Sequence, residues 1–242
     1  METVVGATPL WLLLVAAPAG ALVGAFLPRV VRRHSPTPVL PDGSAPGAEP
    51  PASQAPLAGL LAVVTAALFT VAALVFGLSW QLPAHLYLAA TAVVLTVIDL
   101  RHHLLPNAVV LPALGIGFVL LACAAAADGT WGALVRAVLG AVVLFALYLV
   151  LALISPAGLG MGDVKLAAVL GLFLGYQGWG ALFVGAVLAS VVGALVGVAV
   201  LASRRGGLRS DVPFGPSMLA GALVAVVWGE RIARGYLLPG LY

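Results

Sequence analysis

Apolar runs close to the roughly 20 residues that carry a helix across a bilayer follow one another through almost the whole chain. Runs of that length and apolarity read as membrane-crossing helices. They fall at about 9–28, 57–80, 84–99, 107–127, 131–154, 164–177, 179–202 and 213–229, the sixth being short. Composition agrees, with 63% of 242 residues hydrophobic and 8% charged at a mean hydropathy of +1.18, far from soluble domains. The expected fold is an all-α polytopic membrane protein with about eight transmembrane helices.

Charge is informative by position rather than by its sum of +3. Eight of the eleven basic residues, Arg29, Arg32, Arg33, Arg101, Lys165, Arg204, Arg205 and Arg209, follow or border alternate apolar runs. The positive-inside rule places those connections in the cytoplasm and both termini outside, and it explains the basic residues without a nucleic-acid partner. Trp80, Trp131, Trp179, Trp228 and Tyr236 fall near the opposite ends, where interfacial aromatics belong. Of the other basic residues, Arg136 lies in the first turns of the fifth run, from which it can snorkel outward.

Residues 1–33 carry Glu2 where a cleavable signal has a basic region, and their arginines come after the apolar run. They read as an uncleaved N-terminal transmembrane anchor. The 34–56 stretch, with seven prolines between Pro36 and Pro56, reads as a mobile cytoplasmic linker. Residues 57–242 form the main transmembrane domain. The single cysteine, Cys123, excludes an intrachain disulfide and a cysteine metal cage.

Three polar interruptions stand out on the expected cytoplasmic side. Asp99 closes the third run, ahead of Arg101-His102-His103 and Leu105-Pro106-Asn107, where Pro106 begins the next helix. Gly158, Gly160 and Gly162 alternate ahead of Asp163 and Lys165, and a helix is expected to restart at or just after Asp163. Pro213-Phe214-Gly215-Pro216 fixes a bend where the chain re-enters the membrane. Each has a plainer reading: Asp99 as a wet-edge carboxylate near Arg101, the glycines as a flexible turn with a capping Asp, the adjacent histidines as interfacial residues.

Ionisable residues in membrane-embedded sequence are costly, which marks Asp99 and Asp163 as functional candidates. Two neighbouring carboxylates share a proton and can act together as base and acid. One activates water and the other protonates the departing group, which hydrolyses a peptide bond without a covalent intermediate. Bare glycine backbone suits an extended substrate held strand to strand.

The stretches Asp99–Asn107, Gly160–Leu166 and Pro213–Pro216 together resemble the prepilin leader peptidases, polytopic aspartic proteases of the GxGD type. The resemblance covers roughly residues 84–225, with a weaker echo in Gly20–Arg33. It implies removal of short basic leaders from type IV prepilins or pseudopilins at the cytoplasmic face of the bacterial inner membrane, with Asp99 and Asp163 as the catalytic pair. Gly160, Gly162, Lys165, Pro106, Asn107, Pro213, Phe214, Gly215 and Pro216 would then bind substrate or shape the loops. Many members of the family also methylate the new N-terminus with S-adenosylmethionine and carry two Cys-x-x-Cys pairs in the first cytoplasmic loop. The 34–56 segment has no cysteine, and Pro28 stands where an asparagine is expected. No zinc is therefore expected, and S-adenosylmethionine would enter only if methyl transfer is retained, against which that loop speaks. The expected partners are prepilin or pseudopilin substrates and membrane lipid.

Asp163 lies at a helix N-terminus beside Lys165 and Asp99 at a C-terminus, so the helix dipoles make Asp163 the base and Asp99 the carrier of the shared proton. Two other classes remain open from the residues alone. In a small ion or solute transporter the paired carboxylates would lie near the bilayer midplane, whereas a pilus-assembly scaffold would need no carboxylates at all.

Overall fold

The computed structural model describes residues 9–34, 51–154, 159–202 and 214–237. Among them are eight α-helices: α1 (Leu10–His34), α2 (Pro51–Phe76), α3 (Leu82–His102), α4 (Asn107–Asp128), α5 (Trp131–Ile154), α6 (Met161–Gln177), α7 (Trp179–Ala202) and α8 (Gly215–Ile232). A short π-helical turn, Ala233–Leu237, continues α8. Seven helices are long and apolar enough to cross a membrane, so the chain is a multi-pass membrane protein. The exception is α6, whose 17 residues reach about 25 Å at 1.5 Å per residue, short of a hydrocarbon core of about 30 Å.

Several helix ends differ from the sequence expectation, each for a local reason. Helix α2 stops at Phe76 rather than near residue 80, because Gly77 turns to a φ of +56° while its N–H still reaches the Ala73 carbonyl at 2.9 Å. Its first residue, Pro51, lies inside the 34–56 segment read as linker, and residues 35–50 of that segment are outside the described residues. Helix α3 runs three residues past Asp99 and ends before His103, whose φ of +51° no helix can continue. Helix α6 begins at Met161, two residues earlier than Asp163.

The chain divides into two compact units, residues 1–102 and 103–242, the boundary falling within the 57–242 stretch read as one transmembrane block. In the first unit, Gly20 and Gly24 lie one turn apart on α1 and face α2. A Cβ on Gly20 would stand 2.8 Å from the Thr65 carbonyl and the Ala66 Cα, so the two backbones meet at closest approach. Leu12, Ala16, Ala72, Ala73 and Leu82 fill the space between α1, α2 and the start of α3. The buried His85 ring stacks on Phe76 at 3.8 Å, and its Nδ1 lies 2.9 Å from the Gln81 carbonyl.

In the second unit, α6 is the central element, packed against α4, α5, α7 and α8. Every residue from Leu166 to Tyr176 is buried, as a helix apolar on all faces must be. Its closest partner is the antiparallel α5. Gly171 sits against the Gly140 backbone, and Gly175, one turn on, against Arg136 and Ala137, in the small-residue spacing that lets membrane helices touch. Gly117 of α4 receives the Phe173 ring of α6 in the same way.

Arg136 does not reach outward. It turns onto the end of α6, where Nε donates to the Gly175 carbonyl at 2.8 Å and an Nη to the Tyr176 carbonyl at 2.9 Å. The last carbonyls of a helix lack intrahelical partners, and a short buried helix cannot leave them to water. The cation also complements the negative end of the α6 dipole. At the same end, Glu230 of α8 accepts the Ala181 N–H at 3.1 Å near the start of α7 and meets Arg234 at 3.4 Å.

A Cβ on Gly171 would strike the Gly140 carbonyl and the Ala141 Cα, so Gly171→Ala should force α5 and α6 apart and lower stability by about 1–3 kcal/mol. Gly115, which has nothing within 4 Å of its missing Cβ, is the control. Denaturant titration in detergent should separate Gly171→Ala from wild type and leave Gly115→Ala at or above it.

Candidate active site

Asp163 is the third residue of α6, and the chain arrives at it through Gly160, which caps the helix with φ −81° and ψ 155°. Gly160 accepts the first helical bonds, from Asp163 N–H at 3.1 Å and Val164 N–H at 3.3 Å. In return the Asp163 Oδ2 accepts the Gly160 N–H at 3.0 Å. This is the carboxylate half of a capping box, and it places a negative charge where the helix dipole favours one. The capping role read as the plain alternative is therefore present. It occupies one carboxylate oxygen in the resting chain.

The glycines before Asp163 act differently from one another. The dihedrals of Gly160 are ordinary extended backbone, and a Cβ there would meet nothing closer than Asp163 Oδ2 at 3.5 Å. Gly162 is inside the helix, and its missing Cβ would lie 2.8 Å from the Leu105 Cβ. Gly162 is thus a contact point at which the first turn of α6 meets the segment entering α4. Gly158 lies outside the described residues.

That segment is tied down by residues the sequence had singled out. Pro106 is the cap of α4 rather than its first residue, with φ −68°, ψ 130° and a carbonyl that accepts from Val109 N–H at 2.9 Å and Val110 N–H at 3.1 Å. Asn107 opens the helix and accepts the Lys165 ammonium at Oδ1, 2.8 Å away. The pair holds the starts of α4 and α6 together across 58 residues of sequence.

The bend before α8 is also part of the second unit. Phe214 caps the helix, its carbonyl accepts the Ser217 hydroxyl at 2.7 Å, and Gly215 is buried while Pro216 occupies the first turn. The Phe214 ring lies against Gly193 of α7, where any Cβ would collide with it, and meets the Tyr148 ring of α5 at 6.5 Å and 55°. Pro213 lies outside the described residues. Tyr148, Ser190 and Gly193 were not singled out from sequence. Tyr148 and Ser190 carry the lone side-chain hydroxyls of the α5 and α7 runs, a signal available from the start.

Asp99 belongs to the first unit, in the last turn of α3, and is only 4% exposed. That burial sets it apart from a carboxylate left open to water at a membrane edge. His102 and His103 join no cluster: no group of three or more His, Cys, Asp or Glu able to hold a metal occurs among the described residues. A thiolate zinc site does not fit this chain, whose one cysteine, Cys123, is exposed on α4.

Fold and site together define a polytopic helical membrane protein that presents a carboxylate on the first turn of a buried central helix. Residues 86–198 match the model of the type IV leader peptidase family. Among curated relatives, proteins of Stutzerimonas stutzeri (36% identical over 166 residues), Pseudomonas aeruginosa (35% over 181) and Bacillus subtilis (33% over 175) all bear the name prepilin leader peptidase/N-methyltransferase. Those alignments take in 67%, 74% and 72% of this chain and 55%, 60% and 67% of the relatives. The chain spans 55–63% of the length of the first three relatives it matches. No solved structure matches it. The chain belongs to the type IV leader peptidase family.

The contrast between the two glycines gives a direct check. Gly162→Ala should destabilise the protein by about 1–3 kcal/mol through the Leu105 contact, whereas Gly160→Ala should stay within about 0.5 kcal/mol of wild type. Thermal unfolding of the two purified variants side by side decides it.

Proposed function

We propose that the chain is a membrane aspartic endopeptidase that removes the short basic leader from type IV prepilins or pseudopilins at the cytoplasmic face of the bacterial inner membrane. Asp99 and Asp163 are its acid and base. The observation that carries this reading is Asp163 itself, a carboxylate on the first turn of α6 beside a glycine with room at its missing Cβ. Chain connectivity supports the pairing: five residues separate Asp99 from Leu105, and Leu105 abuts Gly162, the neighbour of Asp163. Membership of the leader peptidase family supports the substrate class.

In this mechanism a substrate strand lies extended along Leu159-Gly160, where the absent Cβ leaves its backbone room to approach. Asp163 takes a proton from water as the oxygen attacks the scissile carbonyl. Asp99 gives a proton to the departing amine. Proton transfer returns the pair to its starting state. The positive-inside rule, applied to the basic loops, supports a cytoplasmic position for these groups. The relatives' names also carry an N-methyltransferase activity, and S-adenosylmethionine enters here only if methyl transfer is retained, against which the cysteine-free 34–56 segment speaks.

Co-expression with a candidate prepilin, followed by gel shift, tests the reading. Asp99→Ala and Asp163→Ala should each lower kcat by about 10²- to 10⁴-fold. Gly160→Ala should raise KM while sparing the fold. Cleavage that persists in both aspartate variants would assign the work to other residues.

A further inference from the structure

Helix α1, long and apolar enough to cross a membrane, has two unlike faces. Leu12, Ala16, Gly20, Gly24, Leu27 and Val31 are buried on one side of it. On the other, Trp11, Val15, Leu22, Phe26, Arg29 and Arg33 are all exposed. At 100° per residue these six fall within about 60° of the helix circumference, so they form one stripe along most of α1. The stripe changes character once, at the end of the span, where four apolar side chains give way to two arginines one turn apart. An exposed apolar stripe on a membrane span faces acyl chains, and its last turns reach the headgroup layer.

Helix α1 contains no Asp or Glu, and among the described residues no ion pair reaches Arg29, Arg32 or Arg33. All three stay charged at any pH a cell meets. Arg29 is also held in place: its guanidinium carbon lies 4.8 Å over the Phe26 ring, an attraction that leaves the N–H groups for an oxygen acceptor. Arg33 follows one turn on and Arg32 lies beside it, so three cations gather at the headgroup boundary where the apolar stripe ends. Phosphate oxygens match the geometry of a guanidinium fork, and a phospholipid joins phosphate to chains that suit Leu22 and Phe26. A zwitterionic headgroup would bring an ammonium against the arginines, whereas an anionic headgroup brings none. A basic leader of the kind proposed as substrate has the wrong sign for this face.

We infer that the basic end of α1 binds one anionic phospholipid, its phosphate on Arg29 and Arg33 and an acyl chain along Leu22 and Phe26. The site stands whether or not the chain is a peptidase. Titration of the full chain in detergent with phosphatidylglycerol, followed by native mass spectrometry, tests it. The first lipid should bind Arg29→Gln/Arg33→Gln about 10- to 30-fold more weakly than wild type. Phosphatidylcholine should bind wild type about 10-fold more weakly than phosphatidylglycerol does. Two further variants keep the charge, and with it the topology, while removing the shape of the site. Phe26→Leu takes away the ring beneath Arg29, and Arg29→Lys/Arg33→Lys takes away the two forks. Each should weaken phosphatidylglycerol binding about 2- to 5-fold. Wild-type affinity in the glutamine variant, or equal affinity for the two lipids, overturns the inference. Wild-type affinity in either charge-conserving variant reduces the face to diffuse attraction and overturns the site as well. A second copy of the chain seated on the stripe would appear as disulfide cross-linking of Leu22→Cys in a Cys123→Ser background, and that result also overturns it.

Discussion

A helix too short for the bilayer that surrounds it must have its ends satisfied by protein, and α6 obeys that constraint at both. At one end the Arg136 fork takes the Gly175 and Tyr176 carbonyls, which have no intrahelical donors. At the other, Asp163 turns back to the Gly160 N–H. Between them the helix is buried on every face, with Gly171 and Gly175 pressed against α5 and Phe173 lodged at Gly117 of α4. The rest of the second unit is arranged around a rod that neither lipid nor water needs to solvate. The local demand of an unpaired N–H at a helix start, often met by serine or aspartate, is met here by the Asp163 carboxylate.

Much of this was legible in the residues because the bilayer limits the choices. Apolar runs give helices at their approximate places, and the shortness of the sixth was visible in its length alone. The exceptions share a cause. Helix ends are set by single dihedrals, such as Gly77 and His103 at positive φ, and hydropathy does not register them. Arg136 looked like an interfacial cation because sequence shows its distance from a helix start, but not that α6 ends beside it. The glycines before Asp163 appeared as one feature, whereas a neighbour from another helix, Leu105, separates Gly162 from Gly160.

Within the site, Asp163, Lys165 and Asn107 could be singled out because polar residues are rare enough in this chain to be conspicuous. Tyr148 and Phe214 were harder. An aromatic residue in an apolar run reads as filling, and only the packing of α5 against the start of α8 brings the Tyr148 and Phe214 rings together. The Phe214 bend was recognised as a bend, but what it leans on comes from Gly193, a position defined by an absent side chain. Contacts made through missing atoms leave no polar mark in sequence.

The Gly171 contact has a geometric consequence for how this chain can vary. It fixes α6 against α5 in rotation, and Arg136 pins the far end along the axis, so the segment between Gly171 and Asp163 works as a ruler of two turns, about 12 Å long. Adding or removing one residue there would turn the carboxylate by about 100° while the anchored end stayed in place. Side chains along the ruler can be exchanged for others of similar volume, but its length cannot be altered by one. The phase of this helix is set by two glycines and an arginine that lie at the end remote from the carboxylate.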